Sequence, residues 1–409
     1  MKTFLKDLTA IRDRLRQWLF DNALPFWATT GCDGDKADPA RLGTQEYLTR
    51  SGAPALPSFK RVRVQARQLF VFSWAALQGW EEGAQRAQSI FHFLLEARYF
   101  ENDLWQGCWG KQLSRTGGLL ETTADLYDLA FVIFALAWYG RLANILGVSG
   151  AGEAVSYAQK TLDWVERKMS HSEGGFLNCL PDEGKERQQN PHMHLLEAIL
   201  ALYHTTNKNE DLKCAHRLYT LFHTRFYDPQ TETLGEYFNH QWQPVTGRLG
   251  QWIEPGHHFE WVWLLYAYQQ ASGVDVCPYA EALYRFARRY GVVQQTGLVR
   301  FAVNRQGVSL KETFRLWGQS EALRGALAYL AYTRTPQLER DFVLMLGNNL
   351  LNRYLNHVPL GTWVEEYDDQ GNNIADRIPT SSMYHIVTAY DSLNKAVIQG
   401  ALGVSLRGL

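Results

Sequence analysis

Three histidines that could transfer protons recur along the chain at one or two multiples of the same interval. His194 and His257 are each followed by a glutamate three residues later, so each His/Glu pair lies on one face of a predicted helix. His385 follows His257 after twice that interval. Imidazole titrates near neutral pH, so histidine can both remove a proton from carbon and return it. The pattern indicates acid–base chemistry at a shared site.

The same interval joins a wider set of polar residues near the starts of predicted helices. They lie about 61 to 66 residues apart and are Arg67, Asp128, His194, His257, Glu321 and His385. Six equivalent positions in a ring of helices face one end of that ring, so we expect these side chains to converge on one pocket. The candidate set is completed by neighbours on the same helices: Tyr127, Glu197, Glu260 and Trp317.

Each candidate also has a structural alternative. A single histidine on an apolar helix is more often a hydrogen-bonded core residue than a catalyst, but three at equivalent repeat positions favour function. Arg67 could instead form a structural ion pair. Asp128, Glu197 and Glu321 could serve only to orient their neighbours or to brace helix ends.

Short strand-like segments closed by Gly, Asn or Asp recur with a similar period. They are residues 43–52, 107–113, 174–182, 234–240, 297–307 and 361–371, and the last two carry turn signals for a hairpin. Two helices fit between successive segments. The first is apolar on nearly all sides and the second on one side, which indicates an inner and an outer layer. We therefore predict an all-α fold, an (α/α)6 barrel with short β-hairpins at one end, as a single domain over residues 1–409.

Composition excludes several classes of protein. The 409 residues carry 41 basic and 42 acidic side chains, so we expect neither a nucleic-acid nor a membrane partner. The first 18 residues interleave charges with apolar residues, unlike a signal peptide, and the five scattered cysteines form no CxxC motif. We expect a cytoplasmic protein with reduced thiols. Aromatic residues reach 13%, a richness that suits a pocket for sugar rings.

Two other chemistries compete with proton transfer at carbon. The His-x-x-Glu pairs could ligate a metal ion, but the sequence offers no third ligand cluster with compact spacing. A glycoside hydrolase would need two carboxylates flanking the bond, and Glu260 with Glu321 could supply them, but three histidines would then be superfluous. His192 and His258 are neighbours of the candidates but point off the shared face, and we predict structural roles for both.

Histidines suit the isomerisation of an aldose. An acid or base must first open the sugar ring, after which one imidazole removes the hydrogen on carbon 2 to give a cis-enediol. Protonation of carbon 1 then yields a ketose, whereas protonation of carbon 2 from the opposite face yields the epimer. Arg67 could stabilise the developing negative charge on the carbonyl oxygen. Glu260 would orient His257 or bind sugar hydroxyls.

Seven motifs carry a resemblance to a known family. They are Leu24-Pro25-Phe26-Trp27, Gln65-Ala66-Arg67-Gln68, Leu126-Tyr127-Asp128-Leu129-Ala130-Phe131, the run 190–198, the run 255–261, the run 316–322, and Tyr384-His385. Together they make the chain resemble the N-acylglucosamine 2-epimerase superfamily of (α/α)6 sugar epimerases and isomerases over nearly its full length. The resemblance implies metal-independent catalysis, with His257 and His385 as the proton-transferring pair. It also implies that Arg67, His194 and Glu260 bind substrate or assist.

Within that superfamily the run 254–261 is most similar to the D-mannose isomerase branch. Cellobiose 2-epimerases usually have Gly-His-Asp-Ile-Glu there and Pro-Tyr-His-Asn around the last histidine, and Met383-Tyr384-His385-Ile386 departs from the second pattern. Sulfoquinovose isomerases are close relatives, and N-acylglucosamine epimerases resemble the chain less.

We therefore predict an aldose–ketose isomerase that interconverts D-mannose and D-fructose, with D-lyxose and D-xylulose as a further pair, and with no cofactor and no metal. The expected catalytic residues are His257 and His385. The expected substrate-binding residues are Arg67, Tyr127, Asp128, His194, Glu197, Glu260, Trp317 and Glu321. The alternatives are a sugar 2-epimerase, a sulfoquinovose isomerase, a glycoside hydrolase and a non-catalytic sugar-binding protein. The expected partner is a monosaccharide, and the oligomeric state stays open, a homo-oligomer included.

Overall fold

The computed structural model describes residues 2–98, 107–333, 335–357 and 359–401. The α-helices of these residues are α1 (Lys2–Gln17), α2 (Leu24–Thr29), α3 (Val62–Leu77), α4 (Gly83–Leu94), α5 (Leu126–Leu146), α6 (Ala151–Lys168), α7 (Gln189–Thr206), α8 (Asn209–Leu221), α9 (Gly247–Gly250), α10 (Pro255–Ser272), α11 (Cys277–Phe286), α12 (Leu316–Tyr332), α13 (Arg340–Asn349) and α14 (Met383–Ala401).

The strands are two to five residues long. They are β1 (Tyr47–Thr49), β2 (Phe59–Arg61), β3 (Gln112–Ser114), β4 (Gly117–Glu121), β5 (Ala124–Asp125), β6 (Cys179–Leu180), β7 (Arg187–Gln188), β8 (Tyr227–Asp228), β9 (Thr233–Leu234), β10 (Tyr237–Phe238), β11 (Ala302–Val303), β12 (Ser309–Lys311), β13 (Phe314–Arg315), β14 (Glu366–Tyr367) and β15 (Arg377–Pro379).

Six helices form a closed inner ring. Going around the ring, α3, α5, α7, α10, α12 and α14 each contact the next, and α14 contacts α3 again. An outer helix packs behind each one, in the order α4, α6, α8, α11, α13 and α1. The inner helices are buried on nearly all sides because their residues are apolar around the whole circumference. The predicted (α/α)6 barrel is confirmed.

Helix α5 shows how apolar the inner ring is. Its 21 residues are long and apolar enough, by length and composition alone, to cross a membrane. In the structure 72% of its apolar window is buried against other helices of the barrel. Burial on all sides by protein explains the same composition.

The short strands join each repeat to the next. The strand before an inner helix pairs antiparallel with a strand of the following loop: β2 with β3, β5 with β6, β7 with β10 and β13 with β14. β15 pairs with β1, which joins the two ends of the chain. The predicted segments 297–307 and 361–371 differ in detail. The first contributes β11 to a local hairpin with β12, whereas the second pairs β14 with the preceding repeat.

Candidate active site

The sequence-predicted residues lie at one end of the barrel, in the first half of the inner helices. Each of the first five inner helices is followed by an outer helix that returns the chain, and α1 packs behind α14, so the inner helices run in the same direction. Tyr127 and Trp317 are half-buried. The other predicted residues are at most 6% exposed: Arg67, Asp128, His194, Glu197, His257, Glu260, Glu321 and His385.

The two expected catalytic histidines both pack against the indole ring of Trp317. The ring centroid of Trp317 is 5.1 Å from that of His257 and 6.0 Å from that of His385. Gly256 makes this approach feasible, because a Cβ at that position would lie 2.5 Å from the Trp317 ring. The Pro-Gly sequence at the start of α10 therefore has a packing role: Pro255 begins the helix and Gly256 admits the indole.

His257 is held by a carboxylate from a loop. Its Nδ1 donates to Glu236 Oε2 at 3.0 Å, and Gln189 donates to the same oxygen at 2.9 Å. The Gln189 amide is fixed in turn by the Trp261 indole N–H, which donates to its oxygen at 2.7 Å. Burial alone would lower the pKa of His257, but Glu236 and Glu254 outweigh it and raise the pKa to about 10. His257 is therefore an imidazolium at neutral pH.

His385 has the opposite electrostatic environment. Its Nδ1 lies 2.6 Å from Glu321 Oε1 and donates to it, which leaves Nε2 as a base. Burial, reinforced by Arg67 and Arg324, lowers the pKa of His385 well below its usual value. His385 is therefore a neutral imidazole in its resting form, and the two histidines differ in protonation.

Arg324 connects the carboxylates beneath the histidines. Its guanidinium donates to Glu197 Oε1 at 2.8 Å and to Glu321 Oε2 at 3.3 Å. The Tyr384 hydroxyl donates to the other oxygen of Glu197. Burial alone would raise the pKa of Glu197, but Arg324, His194 and Tyr384 lower it to about 2. Glu197 is therefore an anion at neutral pH, and Arg324 and Tyr384 fix its position at the base of the site.

Glu260 lies between these charges in a different state. Its Oε1 is 3.9 Å from His194 Nδ1, and that oxygen is buried without a hydrogen-bond partner among the described residues. Burial, together with repulsion from Glu321 and Glu197, raises the pKa of Glu260 well above its usual range. These surroundings favour the protonated acid, which can donate a hydrogen bond. His194 donates to Glu197 at 3.3 Å, and burial lowers its pKa to about 4.

The Arg67 side chain packs against aromatic residues at the active site. It donates to the Tyr127 hydroxyl at 2.7 Å, and its guanidinium lies 4.1 Å from the Phe131 ring centroid. No ion pair joins it to a carboxylate among residues 2–98, 107–333, 335–357 and 359–401. Its charge is thus available to a developing oxyanion.

Asp128 differs from the other predicted positions. Its Oδ1 pairs with Arg63 Nε at 2.5 Å, one helical turn before Arg67. Burial raises its pKa to about 7, although Arg63 opposes that shift. Asp125 caps the helix and fixes this region, because its side chain accepts from the backbone N–H of Tyr127 and Asp128. In this structure Asp128 braces Arg63, and its contact with substrate stays a prediction.

The two neighbouring histidines make backbone contacts. His192 Nε2 accepts from the N–H of Phe176 at 2.9 Å, and His258 Nε2 accepts from the N–H of Leu234 at 3.1 Å. Both rings therefore hold loops against the ends of inner helices, in agreement with the structural roles predicted for them.

Sequence analysis missed Glu236, Gln189, Arg324 and Tyr384. Glu236 comes one residue before β10, in a predicted segment, and its backbone oxygen accepts from Gln189 N. Glu365 occupies the same place before β14, and its backbone oxygen accepts from Leu316 N. The two glutamates are equivalent by their backbone contacts, which the sequence of the segments does not reveal. Arg324 lies about one turn beyond Glu321, in the third turn of α12.

Two triads could hold a metal ion by distance alone. They are His194 with Glu197 and Glu260, and Glu260 with Glu321 and His385; in each triad one ligand atom per residue lies within 4.8 Å of the others. Glu197 and Glu321 already pair with Arg324, and both His194 and His385 donate Nδ1–H to carboxylates. Glu260 alone offers an uncommitted oxygen. The donor set therefore suits hydrogen bonding to a polyol better than cation coordination.

Comparison with known proteins agrees with the motifs. Residues 43–389 match the family model described as N-acylglucosamine 2-epimerase (GlcNAc 2-epimerase). Mannose-6-phosphate isomerase of Rhizobium meliloti (strain 1021) is 31% identical over 382 residues, covering 92% of this chain and 94% of that protein. Cellobiose 2-epimerase of Bacteroides fragilis is 24% identical over 287 residues, 64% of this chain and 67% of that protein.

The fold has been seen in solved structures. The crystal structure of a D-mannose isomerase aligns with a TM-score of 0.79 at 20% identity, over 97% of this chain and 98% of that one. At this identity the likeness concerns the fold alone. The family match covers most of the chain and the resemblance drawn from the motifs is confirmed: the chain belongs to the N-acylglucosamine 2-epimerase family of sugar isomerases and epimerases.

Proposed function

We propose that this enzyme is an aldose–ketose isomerase that interconverts D-mannose and D-fructose, and also D-lyxose and D-xylulose, by proton transfer between histidines and sugar. The proposal rests mainly on the environments of His257 and His385. Both imidazole rings pack against the indole of Trp317, and their surroundings raise the pKa of His257 and lower that of His385. Two titratable groups separated in this way supply an acid and a base at the same pH.

The protonation states assign a role to each histidine. His385, neutral and with Nδ1–H held by Glu321, removes the proton from carbon 2 through Nε2. His257, protonated and held by Glu236, donates a proton to the ring oxygen and takes one back from the anomeric hydroxyl, so that the ring opens to the aldehyde. As His385 removes the carbon-2 proton, O1 gains a proton and the 2-hydroxyl gives one up, and His385 then returns its proton to carbon 1, which gives the ketose.

The remaining residues bind the sugar and stabilise the intermediate. Arg67 lies where it can bind the carbonyl oxygen as negative charge develops there. Glu260, as a neutral acid, and His194 offer hydrogen bonds to hydroxyls. Trp317 offers an apolar face to the pyranose.

A metal ion is not required by this chemistry. Arg67 can stabilise the negative charge of the enediolate, and the two imidazoles can transfer the protons. The oxygens of Glu197 and Glu321 are already occupied by Arg324, Tyr384 and His385, which supports a metal-independent reaction.

The charges favour a neutral sugar. Arg63 pairs with Asp128, and Arg324 pairs with two glutamates. Arg315 pairs with Glu365. A phosphate on carbon 6, as in the substrate named for the Rhizobium relative, would need an uncommitted cation in addition to Arg67.

Incubation of the purified enzyme with D-mannose, with D-mannose 6-phosphate and with cellobiose, each with and without a chelator, tests the proposal. Proton NMR of the products should show fructose from free mannose at a rate that the chelator does not change. Conversion of the phosphate ester alone, or loss of activity with chelator, would contradict the substrate or the metal-free mechanism.

A sugar 2-epimerase is the second candidate. Two imidazoles on one indole could address both faces of carbon 2, as a two-base epimerisation requires. Glucose as the main product from mannose would favour this activity over isomerisation.

A further inference from the structure

A second cavity opens at the other end of the barrel. It has a volume of about 300 Å³ and is lined by the later turns of the inner helices. Its walls include Trp74 of α3, Trp138 of α5, Ala267 of α10 and Lys395 of α14. The inner helices run in one direction and the histidines lie in their early turns, so this cavity and the active site are at opposite ends.

The wall of the cavity combines aromatic faces with hydrogen-bonding groups. Trp74, Trp138 and Trp263 line it together with Gln270 and Asp391. The Trp138 indole N–H is buried and has no hydrogen-bond partner within the described parts of the chain. Indole faces beside a few polar groups bind sugar rings, because C–H groups pack on the aromatic face while hydroxyls bond to the polar groups.

Four of the five charged side chains that line the cavity form ion pairs with one another, and the guanidinium of the fifth, Arg141, lies 5.4 Å from the Trp138 ring centroid. Lys395 pairs with Asp391 at 2.8 Å, and Asp391 also accepts from the Trp74 indole at 3.0 Å. His204 is kept neutral, since burial and the nearby Arg141 and Lys395 lower its pKa. Because four of the five charges are already paired, a neutral ligand fits this wall. The volume is at the small end of the ~300 to 1,000 Å³ typical of ligand sites, which suits one monosaccharide.

The floor of this cavity belongs to the active-site network. Glu197 and Arg324 line the cavity, and the guanidinium of Arg324 lies 3.4 Å from the Trp263 ring centroid. The same guanidinium holds Glu321, which accepts from His385. A ligand that moves Trp263 would move Arg324, and with it the Glu321 carboxylate that holds Nδ1–H of His385.

We propose that this cavity is a second small-molecule site, which binds a neutral monosaccharide and changes turnover at the histidines through Arg324. The binding does not depend on the function proposed above. The effect on turnover rests on the role proposed there for His385.

Fluorine NMR of the 5-fluorotryptophan-labelled enzyme tests binding at both ends at once. Trp317 reports on the active site and Trp138 on the second cavity, and Trp→Phe variants assign the two signals. The His385→Gln variant serves as background, because it keeps the sugar from being converted. On titration with D-mannose or D-fructose, both signals should shift and saturate, with the Trp138 midpoint below about 10 mM.

A pair of variants at one position separates the two sites. Ala267→Phe fills the cavity, whereas Ala267→Ser leaves its volume nearly unchanged. Ala267→Phe should abolish the Trp138 shift and keep the Trp317 shift, and Ala267→Ser should keep both. A Trp138 signal that does not move up to about 100 mM sugar would overturn the proposal, as would one that moves equally in Ala267→Phe. Unchanged unfolding temperatures for both variants are required for these outcomes to count.

Turnover of the enzyme with native histidines tests the coupling. As the Trp138 site saturates, kcat should change by about fivefold or more, and this change should vanish in Ala267→Phe but not in Ala267→Ser. An unchanged kcat at saturation would refute the coupling to His385. Absence of any isomerase activity, with the Trp138 titration intact, would instead refute the proposed function and leave the second site established.

Discussion

Glu236 accepts a 3.0 Å hydrogen bond from Nδ1 of His257, across the junction between a loop and an inner helix. The carboxylate is buried and precedes the short strand that pairs with the strand before α7. This contact keeps His257 protonated, since an imidazole buried without it would lose its proton more readily. The loop thus sets the acid of the proposed reaction.

Glu236→Gln should move the alkaline limb of the pH–rate profile to lower pH by about 1 to 3 units, the usual effect of one buried opposite charge. The raised pKa of about 10 means that the wild-type enzyme loses its acid only as the pH approaches 10. The profile of kcat against pH measures this limb. Glu254→Gln is the matched control, because Glu254 lies farther from His257, at 3.8 Å, and should shift the limb less.

The hydrogen bond between Glu236 and His257 should also change the free energy of unfolding in a pH-dependent way. A group whose pKa is raised on folding, here from 6.5 to about 10, stabilises the fold fully below its unfolded pKa and loses that contribution as the pH rises through the folded pKa. Urea unfolding of Glu236→Gln and of wild type should therefore differ most below about pH 6.5 and converge near pH 10. A difference that grows with pH would contradict the assigned protonation state.

Arg324→Met should destabilise the protein by about 3 to 5 kcal/mol, because it leaves the buried carboxylates of Glu197 and Glu321 without their cation. Activity should fall as well, since Glu321 orients His385. Chemical denaturation measures the loss of unfolding free energy. Arg217→Met is the control: Arg217 pairs with Glu166 on the surface, and its loss should cost less than about 1 kcal/mol.

Gly256→Ala should lower kcat by about 100-fold with a modest loss of stability, because the new Cβ would displace the Trp317 ring by a large fraction of an ångström or more. Steady-state kinetics and thermal unfolding measure the two effects separately. Gly152→Ala in the exposed outer helix α6 has no atom within 4 Å of the added Cβ and should leave kcat unchanged. Equal kinetics for the two variants would show that the indole does not position the substrate.

The fold could be predicted because the repeat imposes one period on helices, loops and polar residues alike. Apolar runs such as Leu126–Leu146 identify the inner ring without any knowledge of contacts. The strand pairing could not be predicted, because turn signals describe local hairpins whereas β14 pairs with β13 of the preceding repeat. That choice depends on how neighbouring inner helices pack.

The candidate site could be predicted only where its residues share that period. His194, His257 and His385 share it, and the structure brings all three to one end of the barrel. Asp128 shares the period too, but its carboxylate forms an ion pair with Arg63. Arg63 lies one turn before Arg67, outside the period, so this pair could not be predicted. Glu236 could not be predicted from this period, because it lies in a loop before a short strand and not at the start of a helix.

The most direct test of the account is the rate at which D-mannose loses its carbon-2 hydrogen in heavy water, followed by proton NMR. The wild-type enzyme should exchange this hydrogen and place deuterium on carbon 1 of fructose. His385→Gln should slow the loss by about 100-fold or more, the usual scale for removing a catalytic base, while His92→Gln on the outer ring should not. Exchange within about tenfold of wild type in folded His385→Gln would contradict the assignment of His385 as the base.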